Sequence, residues 1–325
     1  MKTIKLKYVD MWGGFDQESF IFTEILREKY NVVFSDQPDY LFYSCFGYDH
    51  LKYSDCIRIC YLGENLAPDF NVCDYAIAQE CLEFGDRYLW FPTGMPRATR
   101  PELYHRENRS AKKENRTRFC SFVYSNATAN PYRLELLHAI GKYKKVDCGG
   151  KLCHNIDIPH VEGFDRFDDR IEFERNYKFS IACENDSHPG YCTEKILISF
   201  IAGTIPIYWG DPLIKNVYNE KAFVCVSDYN TAEELVEAIK RIDNDDTLYQ
   251  AMIQEPVFAP GWNYCDLENG LKNFILNIFE QPKEKAFRRC RIMYAKDHCD
   301  TLNNWYNTWK EMQETPKWKF WKRFR

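Results

Sequence analysis

The stretch IACENDSHPGYCTEKILISFIAGTIPIYWGDP, residues 181–212, decides the fold. An apolar strand runs into a polar loop carrying Glu184, Asn185, His188 and Tyr191. A helix starts near Thr193 with Glu194 and Lys195 in its first turn, and the strand TIPIYW follows. Strand, apolar helix and apolar strand in succession favour a parallel sheet covered by helices on both faces. In such sheets ligands bind at strand ends like the one that opens into this loop.

The same rhythm extends in both directions. Upstream lie the strand FCSFVY, a helix capped by Asn130 with Pro131 at its first position and closed by Gly141, and the strand KVDC. Downstream lie the strand AFVCV and a helix opened by the capping box Thr231 to Glu234. The first hundred residues repeat the pattern: IKLKYV, an amphipathic stretch over residues 16–30 with Ile21, Ile25 and Leu26 on one face, then NVVF, YLFYS, IRICYL and DYAIA. Between the halves, RENRSAKKENRTR at residues 106–118 carries six basic and two acidic residues and reads as an exposed linker. The domains expected are therefore residues 1–112 and 113–290, with residues 291–325 as a C-terminal helix and tail.

Composition sets the class. With 325 residues, 45% hydrophobic and 28% charged, the chain folds into packed domains. A net charge of −5 leaves no excess of Lys and Arg for a general nucleic-acid binder. The 14 cysteines are scattered, several within apolar runs such as Cys120 and Cys225, and read as free thiols in a reducing compartment. No secretory signal is read at the start, so the sequons at Asn108, Asn115, Asn126 and Asn185 are expected to carry no glycan.

Neither GxxxxGK[ST] nor GxGxxG occurs, which removes the common dinucleotide and ATPase classes. Asp243-Asn-Asp245 has the form of a metal clamp but follows a helix rather than an apolar strand, and reads as a solvated helix terminus. Cys56, Cys60 and Cys153-His154 lack the spacing of a zinc site. The phosphate-holding feature on offer is the helix start near Thr193, where free N–H groups, a positive dipole end and Lys195 coincide. Glu194 repels phosphate there and suits neutral hydroxyls such as those of ribose. A plain cap by Thr193 and Glu194, with Lys195 in solvent, fits the local sequence equally well.

CENDSHPGYCTEKI followed by GTIPIYWGDP resembles the signature of the α-1,3-fucosyltransferases, glycosyltransferase family 10, whose members carry Phe-Glu-Asn-Ser, Tyr-x-Thr-Glu-Lys and Pro-Ile-x-x-Gly in that order. Two more blocks, residues 119–137 and 60–92, carry the resemblance upstream, and the resemblance points to bacterial members. The chain departs from the pattern at Cys183, Asp186 and His188-Pro189.

The resemblance implies an α/β fold of GT-B type, two Rossmann-like domains facing across a cleft, with GDP-L-fucose on the C-terminal domain and the acceptor on the N-terminal one. It implies inverting transfer of L-fucose from GDP-β-L-fucose to the 3-hydroxyl of GlcNAc in N-acetyllactosamine-type, Lewis x-forming glycans, without an obligatory metal. Carried over residue by residue, Glu64 falls on the family's general base. Arg133 falls on the pyrophosphate arginine, and Asn185, Tyr191, Glu194 and Lys195 on donor-binding positions. A glycan-binding module on a degenerate transferase scaffold, or a GT-B transferase for another sugar nucleotide, is the alternative.

The tail PKWKFWKRFR, residues 316–325, places Lys317, Lys319, Lys322, Arg323 and Arg325 among Trp318, Phe320, Trp321 and Phe324. Aromatics beside cations suit an anionic membrane interface. The expectation is a cytoplasmic protein held on the inner membrane face by this tail.

Overall fold

A computed structural model describes residues 1–94, 99–104, 116–290 and 293–314. Most of the expected linker, with Asn108 and Asn115, and the whole tail 316–325 lie outside the described residues. The chain forms two compact units, Met1–Phe91 with Leu267–Arg325, and Pro92–Asp266.

The first unit is built on six parallel strands: β1 Lys2–Val9, β2 Tyr30–Phe34, β3 Tyr40–Tyr43, β4 Ile57–Tyr61, β5 Tyr75–Ala78 and β6 Tyr88–Trp90, in the order β2-β1-β3-β4-β5-β6. Leu6 pairs with Tyr40, Tyr40 with Ile57, and Ile59 with Tyr75. The central strands β3, β4 and β5 are buried at every position, as a parallel sheet covered on both faces requires. The expected helix over residues 16–30 is shorter, α1 Ile21–Arg27, because Asp16 accepts from Glu18 N and Ser19 Oγ and holds the preceding residues in a turn.

Five parallel strands make the second unit: β7 Arg118–Phe122, β8 Val146–Cys148, β9 Tyr177–Cys183, β10 Ile205–Trp209 and β11 Val224–Cys225, in the order β11-β10-β9-β7-β8. Its helices are α2 Tyr132–Gly141, α3 Arg166–Glu174, α4 Glu194–Ala202, α5 Ala232–Asn244 and α6 Asp246–Gln254. Asn130 caps α2 by accepting from Tyr132 N, and Thr231 Oγ1 accepts from Glu234 N at the start of α5. Gly203, at φ 76° in the left-handed region, ends α4 so that β10 can follow. Arg116, read as linker, is buried and donates to Gly203 O and Tyr249 Oη.

The expected division at residue 112, and at 290, differs from the units observed. Helix α7, Tyr264–Glu280, lays Leu271, Ile275, Ile278 and Phe279 into the core. Phe279 stacks on Tyr40 of β3 with ring centres 3.9 Å apart. After the short α8, Lys283–Ala286, Arg289 pairs with Asp74, both fully buried, and donates to Ser54 O and Cys56 O at 2.9 Å. Helix α9, Met293–Glu314, buries Tyr306, whose hydroxyl meets Asp49 Oδ1 at 2.6 Å. The C-terminal segment is thus part of the first unit. The all-thiol expectation is corrected as well: Cys290 and Cys299 form a disulfide, and the other twelve cysteines are free.

Candidate active site

In the second sheet β8 lies on one side of β7 and β9 on the other, so strand order reverses between β7 and β9. The two following loops meet at the C-terminal strand ends, where Asn130 N donates to Asn185 O, and this is the place at which open parallel α/β sheets bind their ligands. The first loop leads through Tyr124 and Asn130 into α2, and the second carries Glu184 and Asn185 toward α4.

Arg133, in the first turn of α2, is 1% exposed. Its Nη2 donates to Cys183 O at 3.1 Å, Glu184 O at 2.7 Å and Asn185 Oδ1 at 3.0 Å. Its Nε and Nη1 are buried with no hydrogen-bond partner. Leaving two charged donors unsatisfied in low dielectric is costly unless an anion completes them. Arg170 of α3 repeats the theme: its Nε is 2.7 Å from Glu174 Oε1, its guanidinium lies 5.7 Å from the Tyr124 ring, and its buried Nη2 lacks a partner. Sequence reading missed Arg170, since nothing local distinguishes it from a surface i,i+4 pair.

Glu184, fully buried, organises the start of α4. Its carboxylate accepts from Thr193 N at 2.8 Å, Thr193 Oγ1 at 2.7 Å and Lys195 Nζ at 2.9 Å, while Lys195 also donates to Thr193 Oγ1 at 2.7 Å. Thr193 therefore does not cap α4 with its side chain; its hydroxyl is turned to Glu184. Lys195 is buried rather than solvated, and its charge is already answered by Glu184. Burial would lower its pKa, but the charges of Glu184 and Glu194 outweigh that and raise it. Burial likewise favours protonated Glu194, but Lys195, the Glu194 N–H and Arg170 together hold its carboxyl below the usual value.

The loop between β9 and α4 is fastened on both sides. Asn130 Nδ2 donates to Asp186 Oδ1 at 2.9 Å, and Asn130 N to Asn185 O at 2.8 Å, so Asp186 has a structural task. Gly190 N donates to Asp211 Oδ1 at 2.9 Å, and Ser187 Oγ to Gly210 O at 2.6 Å. A Cβ at Gly210 would lie 2.4 Å from Glu184 Cγ, so glycine is what lets Glu184 pack there. Tyr191 is buried and stacks on His188 with ring centres 4.9 Å apart. Arg133 and Lys195 thus both bond to Glu184, with Asn185 on Arg133, Glu194 beside Lys195 and Tyr191 buried within the loop.

Glu64 lies in the first unit, exposed, three residues beyond β4 at the C-terminal strand ends. The acidic motif stands at a helix terminus as expected, with Asn244 and Asp245 exposed, but its first carboxylate is not solvated. Asp243 is buried against Lys144 and Lys178, the latter at 2.9 Å, and Asp245 caps α6 through Thr247 N and Leu248 N. No group of three His, Cys, Asp or Glu side chains with metal-binding geometry occurs among the described residues.

Residues 6–95 match the N-terminal domain of the α-(1,3)-fucosyltransferase FucT, and residues 113–254 match the C-terminal domain of glycosyltransferase family 10 (fucosyltransferase). The Helicobacter pylori α-(1,3)-fucosyltransferase is 30% identical over 293 residues, covering 78% of this chain and 60% of that protein. A protein of Acanthamoeba polyphaga mimivirus named a fucosyltransferase is 37% identical over 174 residues, covering 52% of this chain and 29% of its own. Human GDP-fucose protein O-fucosyltransferase 3 is 31% identical over 150 residues, covering 44% of this chain and 31% of its own. The chain thus spans less than two thirds of the length of these relatives. A crystal structure of an α1,3-fucosyltransferase with GDP-fucose superposes with a TM-score of 0.67 at 25% identity, covering 84% of this chain and 90% of the other. A second structure of an α1,3-fucosyltransferase gives 0.69 at 26% identity, covering 85% and 91%. The two Rossmann-like domains form a GT-B fold. Both parts of the family's enzyme follow one another along this chain, each on its own parallel sheet, and the chain belongs to glycosyltransferase family 10, the fucosyltransferases.

Proposed function

We propose that the protein is an inverting α-1,3-fucosyltransferase that moves L-fucose from GDP-β-L-fucose to the 3-hydroxyl of GlcNAc in N-acetyllactosamine-type acceptors. The observation that carries this reading is the buried, half-partnered Arg133 at the switch point, two free donors awaiting an anion where a nucleotide diphosphate belongs. Support for the donor comes from the structural likeness to an α1,3-fucosyltransferase with GDP-fucose. Support for a glycan acceptor comes from the match of residues 6–95 to the FucT N-terminal domain.

In the proposed reaction Glu64 takes the proton of the acceptor hydroxyl as its oxygen attacks the anomeric carbon. The bond from that carbon to the β-phosphate oxygen breaks with its electron pair leaving on GDP. Arg133 and the N–H groups at the start of α4 stabilise that charge without reorganising, and no metal is required by this scheme. Lys195, balanced by Glu184, holds α4's first turn in place and contributes its field, while Asn185 fixes Arg133. Tyr191 supports the loop, and Glu194 meets ribose hydroxyls.

The test is to incubate the protein with GDP-fucose and a panel of acceptors, measure GDP release, and determine the linkage of any product. Release that depends on an N-acetyllactosamine acceptor, with fucose on the GlcNAc 3-oxygen, supports the proposal. Transfer only to a peptide hydroxyl, or turnover of a UDP-sugar instead, overturns it, and glycan binding without GDP release favours the binding-module reading. We further propose cytoplasmic residence with peripheral attachment to the inner membrane face through residues 316–325. No helix among the described residues is long and apolar enough to cross a membrane.

A further inference from the structure

Beside the candidate base the first unit carries an open pocket of about 340 Å³ that the donor chemistry does not use. Its walls include Tyr48 and Trp305, 49% and 47% exposed, with rings 5.4 Å apart at 82°. Trp305 is supplied by α9, and Tyr48 by the loop that follows β3 at the switch point of the first sheet, where strand order reverses between β1 and β3. Glu64 lies in the chain between two lining residues, Leu62 and Leu66. Its carbonyl accepts from Leu66 N at 2.8 Å, and Leu66 lines the wall. The thiol of Cys45, another lining residue, is pushed up by burial and then by the Glu64 charge.

The polar anchor is His50, 8% exposed and lining the same pocket. Its Nδ1 is 2.7 Å from Asp10 Oδ2, its own N–H donates to that oxygen at 2.9 Å, and Asp49 N donates to Asp10 Oδ1 at 2.9 Å. The ring stacks on Tyr43 with centres 4.0 Å apart. Asp10 adopts φ 56°, a left-handed conformation that costs free energy outside glycine, and a Cβ at Gly47 would come within 2.4 Å of its Oδ1. One left-handed backbone and one close approach that only glycine allows thus hold a single imidazole. Burial depresses the His50 pKa and the Asp10 contact restores it only in part, so the ring is neutral near pH 7. With Nδ1–H donating to Asp10, Nε2 is the hydrogen-bond acceptor.

Aromatic walls around a fixed acceptor match a pyranose, whose ring carries an apolar C–H face and donating hydroxyls at its edge. The hydroxyl that receives fucose must stay beside Glu64 to meet the donor, so the pocket takes the remainder of the acceptor. We propose that it binds the sugar next to the fucosylated one, with the perpendicular rings of Tyr48 and Trp305 against its C–H face and its edge and His50 Nε2 accepting from a hydroxyl. This rests on the fucosyl-transfer reading above.

The test compares two acceptors with GDP-fucose, β-galactosyl-(1→4)-N-acetylglucosamine and a simple N-acetylglucosaminide, in Trp305→Ala and Tyr48→Ala. The expected result is a rise in KM for the disaccharide of about fivefold to tenfold, the effect of one lost aromatic contact, against less than about twofold for the monosaccharide. Equal changes for both acceptors, or none, overturn the proposal. If Trp305→Ala does not fold, the half-exposed Tyr48 decides alone. If the unaltered protein fucosylates neither acceptor, the functional reading fails separately, and disaccharide binding by saturation-transfer NMR decides the pocket: signal lost in Tyr48→Ala supports it, and no signal in the unaltered protein overturns it.

Discussion

The guanidinium carbon of Arg133 lies 4.1 Å from the ring centre of Tyr124. Tyr124 is itself fixed, since its hydroxyl donates to Ile181 O at 2.8 Å and accepts from Cys183 N at 2.7 Å, tying the end of β7 to β9 across the switch point. The arginine is therefore stacked on a plate that belongs to both strands. Its two unpartnered nitrogens are held in advance of any ligand.

From this geometry Arg133→Ala should weaken GDP binding by roughly 1.5 to 3 kcal/mol, the range for a hydrogen bond to a charged group. Arg133→Lys should recover only part, because an ammonium cannot offer paired planar donors. Calorimetric titration with GDP checks both. An unchanged Kd in Arg133→Ala would remove the arginine from the donor site.

Glu184→Gln should strand the Lys195 charge in a buried setting, at a cost of about 3 to 5 kcal/mol in folding stability. Adding Lys195→Met to that variant should return much of the loss, since both charges are then gone. Urea unfolding of the two single variants and the double variant measures the coupling. Additive losses would mean that the pair is not a unit.

Much of this site was legible in the sequence, and the illegible part has a physical cause. Strand, loop and helix were readable from the run of residues 181–212, because apolar continuity and a left-handed Gly203 are local properties. Glu184 was visible as a polar loop residue, but its role as the hub depends on burial by Gly210 and on Thr193 turning away from its cap. Both are tertiary facts. The basic run at residues 106–118 is the visible divide in the sequence, but the compact units part near residue 91, and α7 and Arg289 pack back onto β3 and Asp74 through partners more than two hundred residues away. The disulfide is hard to read for another reason, since Cys290 and Cys299, nine residues apart, are two of 14 scattered cysteines with no spacing that marks a pair.

Glu64→Gln should lower kcat by about 10²-fold or more while leaving GDP-fucose affinity nearly unchanged, because an amide cannot take the acceptor proton and Glu64 lies outside the unit that carries Arg133. Initial rates across both substrates, with a separate donor titration, provide the check. Near-normal kcat would exclude Glu64 as the base.

Deleting residues 316–325 should abolish binding to vesicles rich in anionic lipid and raise soluble yield. Each Lys or Arg near an anionic surface contributes about 1 kcal/mol, so the five cations of this segment supply several before ordering costs. Flotation assays on the full and shortened chains, at low and high salt, give the answer. Full-length protein that ignores such vesicles would assign the tail to another task.

Burial lowers the His50 pKa from its ordinary 6.5; the Asp10 hydrogen bond and charge and the weaker Asp49 charge oppose this, and the Arg58 cation reinforces it. The sign follows from linkage: with the folded pKa below the unfolded one, the unfolded chain takes up its proton first as pH falls. His50 thus contributes full stability above pH 6.5, and that contribution is lost as pH drops from 6.5 through the folded value. Urea midpoints measured at pH 7.5 and 5.5 should differ in that direction. In His50→Gln, which keeps a polar partner for Asp10 but does not titrate, the difference should shrink. The carboxylates that titrate below this window are common to both proteins, so the change in slope isolates the imidazole. An unaltered slope in His50→Gln would show that the ring is not held neutral against Asp10.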